Sequence, residues 1–286
     1  MKYSIVEANI VGDNSTYIMP IHIHVILQLL PRLAVLRFSG EFRCFATQPP
    51  LPLPIAKREI RTLCFDFIHL DLIECVLEML HYAKFVELKG EYVEGSVNAP
   101  RTAGRVGALQ LCTHPRWLDT ILKLFAPSYL TSAGLAFSGT PSVDSHELEG
   151  FMQVYGPHLR YLTLQLPPAG FAPTLPDAAL EPCIRLESLA LGAPRTTTAS
   201  VHRILRTSPT GLRELRLSLR EDGIWSDGDW KRLRHDLIEH AHLEVLVLER
   251  VKGSVRSAIP TGMQPGIRNL LSTRLNDIVR FYPGTS

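Results

Sequence analysis

Residues 158–166 read HLRYLTLQL, and the phrase returns as LESLALG at 186–192, LRELRLSL at 212–219 and LEVLVLERV at 243–251. Each copy holds apolar residues in the order Leu-x-x-Leu-x-Leu: Leu159-Leu162-Leu164, Leu186-Leu189-Leu191, Leu212-Leu215-Leu217 and Leu243-Leu246-Leu248. Side chains two apart share one face of a strand, so Leu162 and Leu164 point together while Tyr161 and Thr163 point the other way. Looser copies precede these at Leu33-Leu36-Phe38, Ile60-Leu63-Phe65, Phe85-Leu88, Val106-Leu109-Leu111 and Leu135-Phe137. The middle residues are then Leu36, Leu63, Leu88, Leu109, Leu135, Leu162, Leu189, Leu215 and Leu246, separated by 27, 25, 21, 26, 27, 27, 26 and 31 positions.

A repeated phrase at an interval of about 26 residues predicts an α/β leucine-rich repeat solenoid. A parallel sheet forms its concave face, with short helices or irregular segments behind. One coil cannot bury its leucines alone, so stacking of neighbours supplies the core, and residues 1–286 are expected to form a single solenoid. Apolar residues at helical spacing place return helices at 70–80 (HLDLIECVLEMLHY), 117–125, 145–152, 201–205 and 230–238, with another at 21–30. A short helical piece is expected at 177–184, and QPPLPLP at 48–54 reads as extended. Ile267, Leu270, Leu271, Leu275, Ile278, Val279 and Phe281 predict a C-terminal capping helix over 267–282. YSIVEANIV at 3–11 reads as a further strand, whose outer edge is expected to be covered by an upstream domain or a partner.

The charge balance, 30 basic against 28 acidic residues, gives no drive toward nucleic acid or an anionic membrane. Five cysteines without C-x-x-C spacing read as reduced thiols, hence a cytoplasmic or nuclear protein. Residues 1–16 lack the apolar core of a signal peptide, and 21–30 is too short to span a bilayer. His22 and His24, two apart in a helix, do not share a face; His240 and His242 straddle a helix end. Neither pair predicts a metal site. Asp227, Asp229, Asp236 and Glu239 read as a solvated helix face, and Glu214 and Glu221 interleave with Arg213, Arg216 and Arg220. No phosphate loop, zinc-hydrolase helix or nucleophile elbow is present, so no catalytic, cofactor or metal residue is assigned and the chain is expected not to be an enzyme.

What remains is the outward side of the strands, the binding side of many repeat proteins. Arg37, Glu87, Lys89, Gln110, Tyr161, Thr163, Glu214 and Arg216 lie there and are the candidate residues for a protein partner. The four clean phrases, the proline-rich back segments and the late DGDWKRLRHDLIEH at 227–240 resemble the leucine-rich repeat regions of F-box proteins, above all the large families of mushroom-forming fungi. That resemblance implies a substrate receptor of a cullin-type ubiquitin ligase, with the repeats holding the substrate. Two departures stand against it. MPIHIHVILQLLP at 19–31 reads as a coil's helix rather than an F-box, so ligase docking would need an F-box upstream. The Asn or Cys expected five positions after each middle leucine is also missing. The alternative is a free-standing repeat scaffold unrelated to ubiquitin ligation.

Overall fold

The computed structural model describes residues 5–13, 17–40, 42–44, 58–90, 93–94, 103–137, 145–165, 180–192, 209–219, 231, 235, 243–250 and 279–282. The chain is mixed α/β and divides into two compact units, Met1–Gly139 and Thr140–Ser286.

The first unit runs β1 (Glu7–Gly12), β2 (Tyr17–Ile18), α1 (Pro20–Leu29), β3 (Val35–Gly40), β4 (Arg43–Cys44), β5 (Arg58–Phe65), β6 (Ile68–His69), α2 (Leu70–Met79), β7 (Leu80–Lys89), β8 (Val93–Glu94), β9 (Val106–Thr113), α3 (Leu118–Leu122) and β10 (Ser132–Phe137). Strands β1, β3, β5, β7, β9 and β10 lie side by side in that order, all parallel. Two-residue strands β2 and β4 pair with each other, as do β6 and β8. The second unit runs α4 (Ser145–Tyr155), β11 (Tyr161–Gln165), β12 (Ser188–Gly192), β13 (Glu214–Leu219), β14 (Val245–Arg250) and β15 (Val279–Tyr282), its strands again parallel and in chain order.

The repeated phrase has a local cause. In β5, β12 and β13 two consecutive N–H groups donate to one carbonyl: Arg61 and Thr62 to Ala34, Glu187 and Ser188 to Arg160, Arg213 and Glu214 to Glu187. Sharing one acceptor shifts the strand's alternation by one residue, as a bulge does. The first apolar residue of the phrase therefore enters the core three positions before the middle one, and the simple period of two begins only afterwards. Leu159, Leu162 and Leu164 are all buried on this pattern, as are Leu186, Leu189 and Leu191. Each such leucine contributes roughly 1.5–3 kcal/mol of burial.

Register corrects two of the looser phrases. Leu63 lies opposite Val86, which lies opposite Leu109, which lies opposite Ala133. The phrases in register are therefore Ala83-Val86-Leu88 and Leu130-Ala133-Leu135, all buried, rather than Phe85-Leu88, whose Phe85 is half-buried, and Leu135-Phe137, which is buried but lies two positions further along. With this register the middle residues of the first unit are Leu36, Leu63, Val86, Leu109 and Ala133, at steps of 27, 23, 23 and 24. A template that counts only large residues slides two positions along the same face, to Leu88 and Leu135.

Where an Asn ladder is missing, aromatic rings pack instead. Phe38 and Phe65, paired in register, stack at 4.9 Å and 5°, while Phe42 and Phe67 pack at 5.3 Å beside them. Behind the sheet, α2 buries Leu70, Leu72, Ile73, Val76, Leu77 and Met79 and packs against α1 and β7. Helices α1, α2, α3 and α4 stand where helical spacing places them, a 3-10 turn at Pro115–Trp117 leading into α3. Residues 180–185, by contrast, make turns rather than the end of the expected helical piece at 177–184, with Pro182 in their midst. The expected capping helix over 267–282 is corrected at its end: Val279–Tyr282 is strand β15 on the edge of β14. Val279 and Phe281 alternate with Arg280 and Tyr282, and the open edge of β14 supplies the hydrogen bonds that favour the period of two. The remainder of that segment, QPPLPLP, residues 201–205 and most of 230–238 lie outside the described residues.

Candidate functional site

A parallel sheet is ordinarily covered on both faces. In both units the face opposite the leucines keeps half-buried and exposed polar side chains: β11 alternates exposed Tyr161, buried Leu162, half-buried Thr163 and buried Leu164. All eight candidate residues lie on this outward face, and the register correction does not move them. A slip of two positions changes the rung but not the side.

In the first unit Arg37, Cys64, Glu87 and Gln110 are successive partners across β3, β5, β7 and β9, with Lys89 one rung further along β7. The row is largely self-neutralising. Arg37 Nε donates to Glu7 Oε1 at 2.9 Å, and Lys89 Nζ lies 2.8 Å from Glu87 Oε1. The hydrogen bond from Lys89 holds the Glu87 carboxyl below its ordinary range, and the same bond raises Lys89. Cys64 sits between the charges, only 3% exposed, with Arg37 Nη1 donating to its Sγ at 3.5 Å. Burial raises this thiol despite the neighbouring guanidinium, so it is not an activated nucleophile. Gln110 lies across Gly134, where an added Cβ would meet its Oε1 at 2.0 Å.

In the second unit Tyr161, Ser188 and Glu214 form one line across the sheet, and Thr163, Ala190 and Arg216 the next. Glu214 accepts from Ser188 Oγ at 3.1 Å and from Arg216 Nε at 2.7 Å. Tyr161 is 46% exposed, with the Arg160 guanidinium 5.8 Å from its ring centre. The outward positions are not uniformly open: Val35 on β3 and Val247 on β14 are buried.

Sequence reading missed a second row in this unit. One position before the outward flank, Arg160, Glu187, Arg213 and Glu244 alternate in sign on neighbouring strand starts. Arg160 Nη2 meets both Glu187 carboxylate oxygens, at 2.8 and 2.9 Å, whereas Arg213 and Glu244 stand 3.8 Å apart. The signal was present as alternating Arg and Glu at the repeat interval, but attention to the two flanks of each middle leucine passes over it.

The histidine pair separates as helix geometry requires. His22 Nδ1 accepts from the Met19 N–H at 3.3 Å and caps the start of α1, while His24 is buried. His240 and His242 lie outside the described residues. Among the described residues no group of three or more His, Cys, Asp or Glu could hold a metal ion, and no helix is long and apolar enough to cross a membrane. Neither a family model nor a curated protein matches the chain.

Proposed function

We propose that the chain is a leucine-rich repeat solenoid acting as a non-enzymatic protein-interaction module that receives a partner segment across the outward face of its strands. The observation that carries this reading is the half-open outward face itself. It holds different chemistry at equivalent positions: Arg37, Glu87 and Gln110 along one line, Tyr161 and Glu214 along another. Polar groups displayed on regular strands are fixed in position, which lowers the ordering cost of binding. Through its resemblance the module fits the substrate-holding half of an F-box receptor, with a cullin-type ligase as the eventual assembly. The alternative reading is a free-standing repeat scaffold unrelated to ubiquitin ligation.

Site-specific photo-crosslinking tests the face and the assembly together. A crosslinker at Gln110 or Thr163 is expected to capture a partner that one at Lys123, beside Asp119 on the helical side, does not. Cullin-ligase subunits recovered with that partner favour the receptor reading, and their consistent absence favours the scaffold. Identical captures from both sides of the sheet reject the outward face as the binding surface.

A further inference from the structure

We propose that the strand-start edge of the second unit is a docking cleft for an acidic peptide segment that carries an aliphatic side chain beside its carboxylates. This does not rest on the outward-face reading. A cleft of about 770 Å³ opens there, and its walls include Arg160, Ile184, Arg185, Glu187, Arg213 and Glu244. Three guanidinium groups face two carboxylates. Arg160 is committed, because its Nη2 engages both oxygens of Glu187. Arg213 is held loosely: it meets Glu244 at 3.8 Å, and both side chains are more than half exposed. Arg185 has neither ion pair nor hydrogen bond among the described residues. The cleft thus presents one uncommitted guanidinium and one that a better acceptor displaces.

Ile184 adds the second element. It is 70% exposed, and it stands next to Arg185 on the cleft wall. An isolated exposed aliphatic residue is unremarkable, but one beside a free guanidinium gives a guest two unlike anchors. A carboxylate takes the planar fork of Arg185 or Arg213, and a neighbouring Leu or Ile side chain covers Ile184. Glu187 and Glu244 in the same walls disfavour a continuous phosphate backbone, which calls for a stripe of one sign.

The probe is a fluorescein-labelled peptide with an Asp-Leu-Asp-Leu core between Gly-Ser flanks. It is titrated by fluorescence anisotropy with the full chain and compared with Asn-Leu-Asn-Leu and Lys-Leu-Lys-Leu versions. The acidic peptide is expected to bind and the other two to bind at least about tenfold more weakly, the scale of one lost charge-assisted contact. R185E and the milder R185Q are each expected to weaken the acidic peptide about tenfold or more, and I184S severalfold. K123E, in the first unit and outside both the cleft and the outward face, is expected to change nothing, and the photo-crosslinking above reads the outward face separately, so the two failures are distinguishable. Equal binding of the Asn peptide overturns the proposal. So does unchanged binding by R185Q in a variant with wild-type circular dichroism, or an oligonucleotide that binds more tightly than the peptide and displaces it.

Discussion

Arg58 offers the sharpest test of how helix α1 is tied to strand β5. Helix α1 ends with no basic residue in its last turn, so its final carbonyls have no local cation. Arg58, at the start of β5, reaches back to the end of α1. Its Nη1 donates to Leu27 O and, at 3.0 Å, to Leu30 O, and its Nη2 donates to Pro31 O at 2.6 Å. The contacts to Leu27 and Leu30 are part-buried and the one to Pro31 is exposed, so water replaces the last far more readily than the first two. A hydrogen bond to a charged group contributes about 1.5–3 kcal/mol. Counting the part-buried pair and discounting for rehydration, R58A is expected to cost about 2–4 kcal/mol.

R58M, which keeps most of the packed stem but no donor, separates charge from packing. R58K keeps the positive charge at the helix end but cannot fork to three carbonyls, so it is expected to recover about half of the loss. Hydrogen exchange followed by mass spectrometry reads the effect locally, in peptides covering α1 and β5, alongside urea unfolding. The Leu30 N–H, which donates to Ile26 O in the last turn, is expected to lose protection first. R58A within about 0.5 kcal/mol of wild type, or R58K indistinguishable from R58M, refutes the argument that the guanidinium caps α1.

Three further outcomes follow from particular positions. Gly40 has φ +88°, and an added Cβ would stand 2.1 Å from Gly12 O, a backbone atom on its register partner; G40A is expected to cost about 1–3 kcal/mol or more and to release β1 first, as exchange of the β1 amides reports. Ala133 occupies a leucine rung at 2% exposure, so A133L is expected to destabilise by about 1–3 kcal/mol through overpacking, and a rise in urea midpoint instead would restore Leu135 as the middle residue. Glu87 has a folded pKa below its ordinary 4.5, so its stabilising contribution is present at neutral pH and is lost as pH falls from 4.5 through the lower folded value; E87Q is expected to flatten that part of the acid-stability curve, measured by urea midpoints from pH 7 downward.

The legible part of the fold was set by large apolar side chains. Helix α2 was readable because Leu70, Ile73, Val76, Leu77 and Leu80 fall on one side of a helical turn. The four clean phrases were readable because each rung holds a leucine. Val86 and Ala133 were misread for the converse reason, being small residues on rungs whose burial is set by neighbours in the stack. The outward residues survived the error because a strand's period is two, so Glu87 keeps its side whichever rung it flanks. Val279–Tyr282 was ambiguous in kind: a few apolar residues fit both periods, and only the free edge of β14 decides between them. What the sequence could not express is which outward positions are covered. Val35 and Val247 are buried, and nothing in their own phrases separates them from Thr62 or Tyr161.

The pairing of charges bears on how a partner would be recognised. Arg37 faces Glu7, Lys89 faces Glu87 and Arg216 faces Glu214, each opposite sign within 3 Å on its own sheet. Exposed pairs of this kind stabilise by about 0–1 kcal/mol, so they add little to the fold. Their larger effect is to cancel the field of each unit's own outward face at a distance, which removes steering of a charged partner from afar. Recognition on such a face then rests on short-range geometry: the carboxylate of Glu214 held by Ser188 and Arg216, the amide of Gln110 spread over Gly134, the ring of Tyr161 beneath Arg160. The strand-start cleft differs in this respect, since Arg185 has no carboxylate of its own among the described residues and Arg213 shares Glu244 only at 3.8 Å. Two surfaces of unlike electrostatics imply unlike salt dependence. Association at the outward face should be nearly indifferent to ionic strength, while association at the cleft should weaken as salt screens the guanidinium groups.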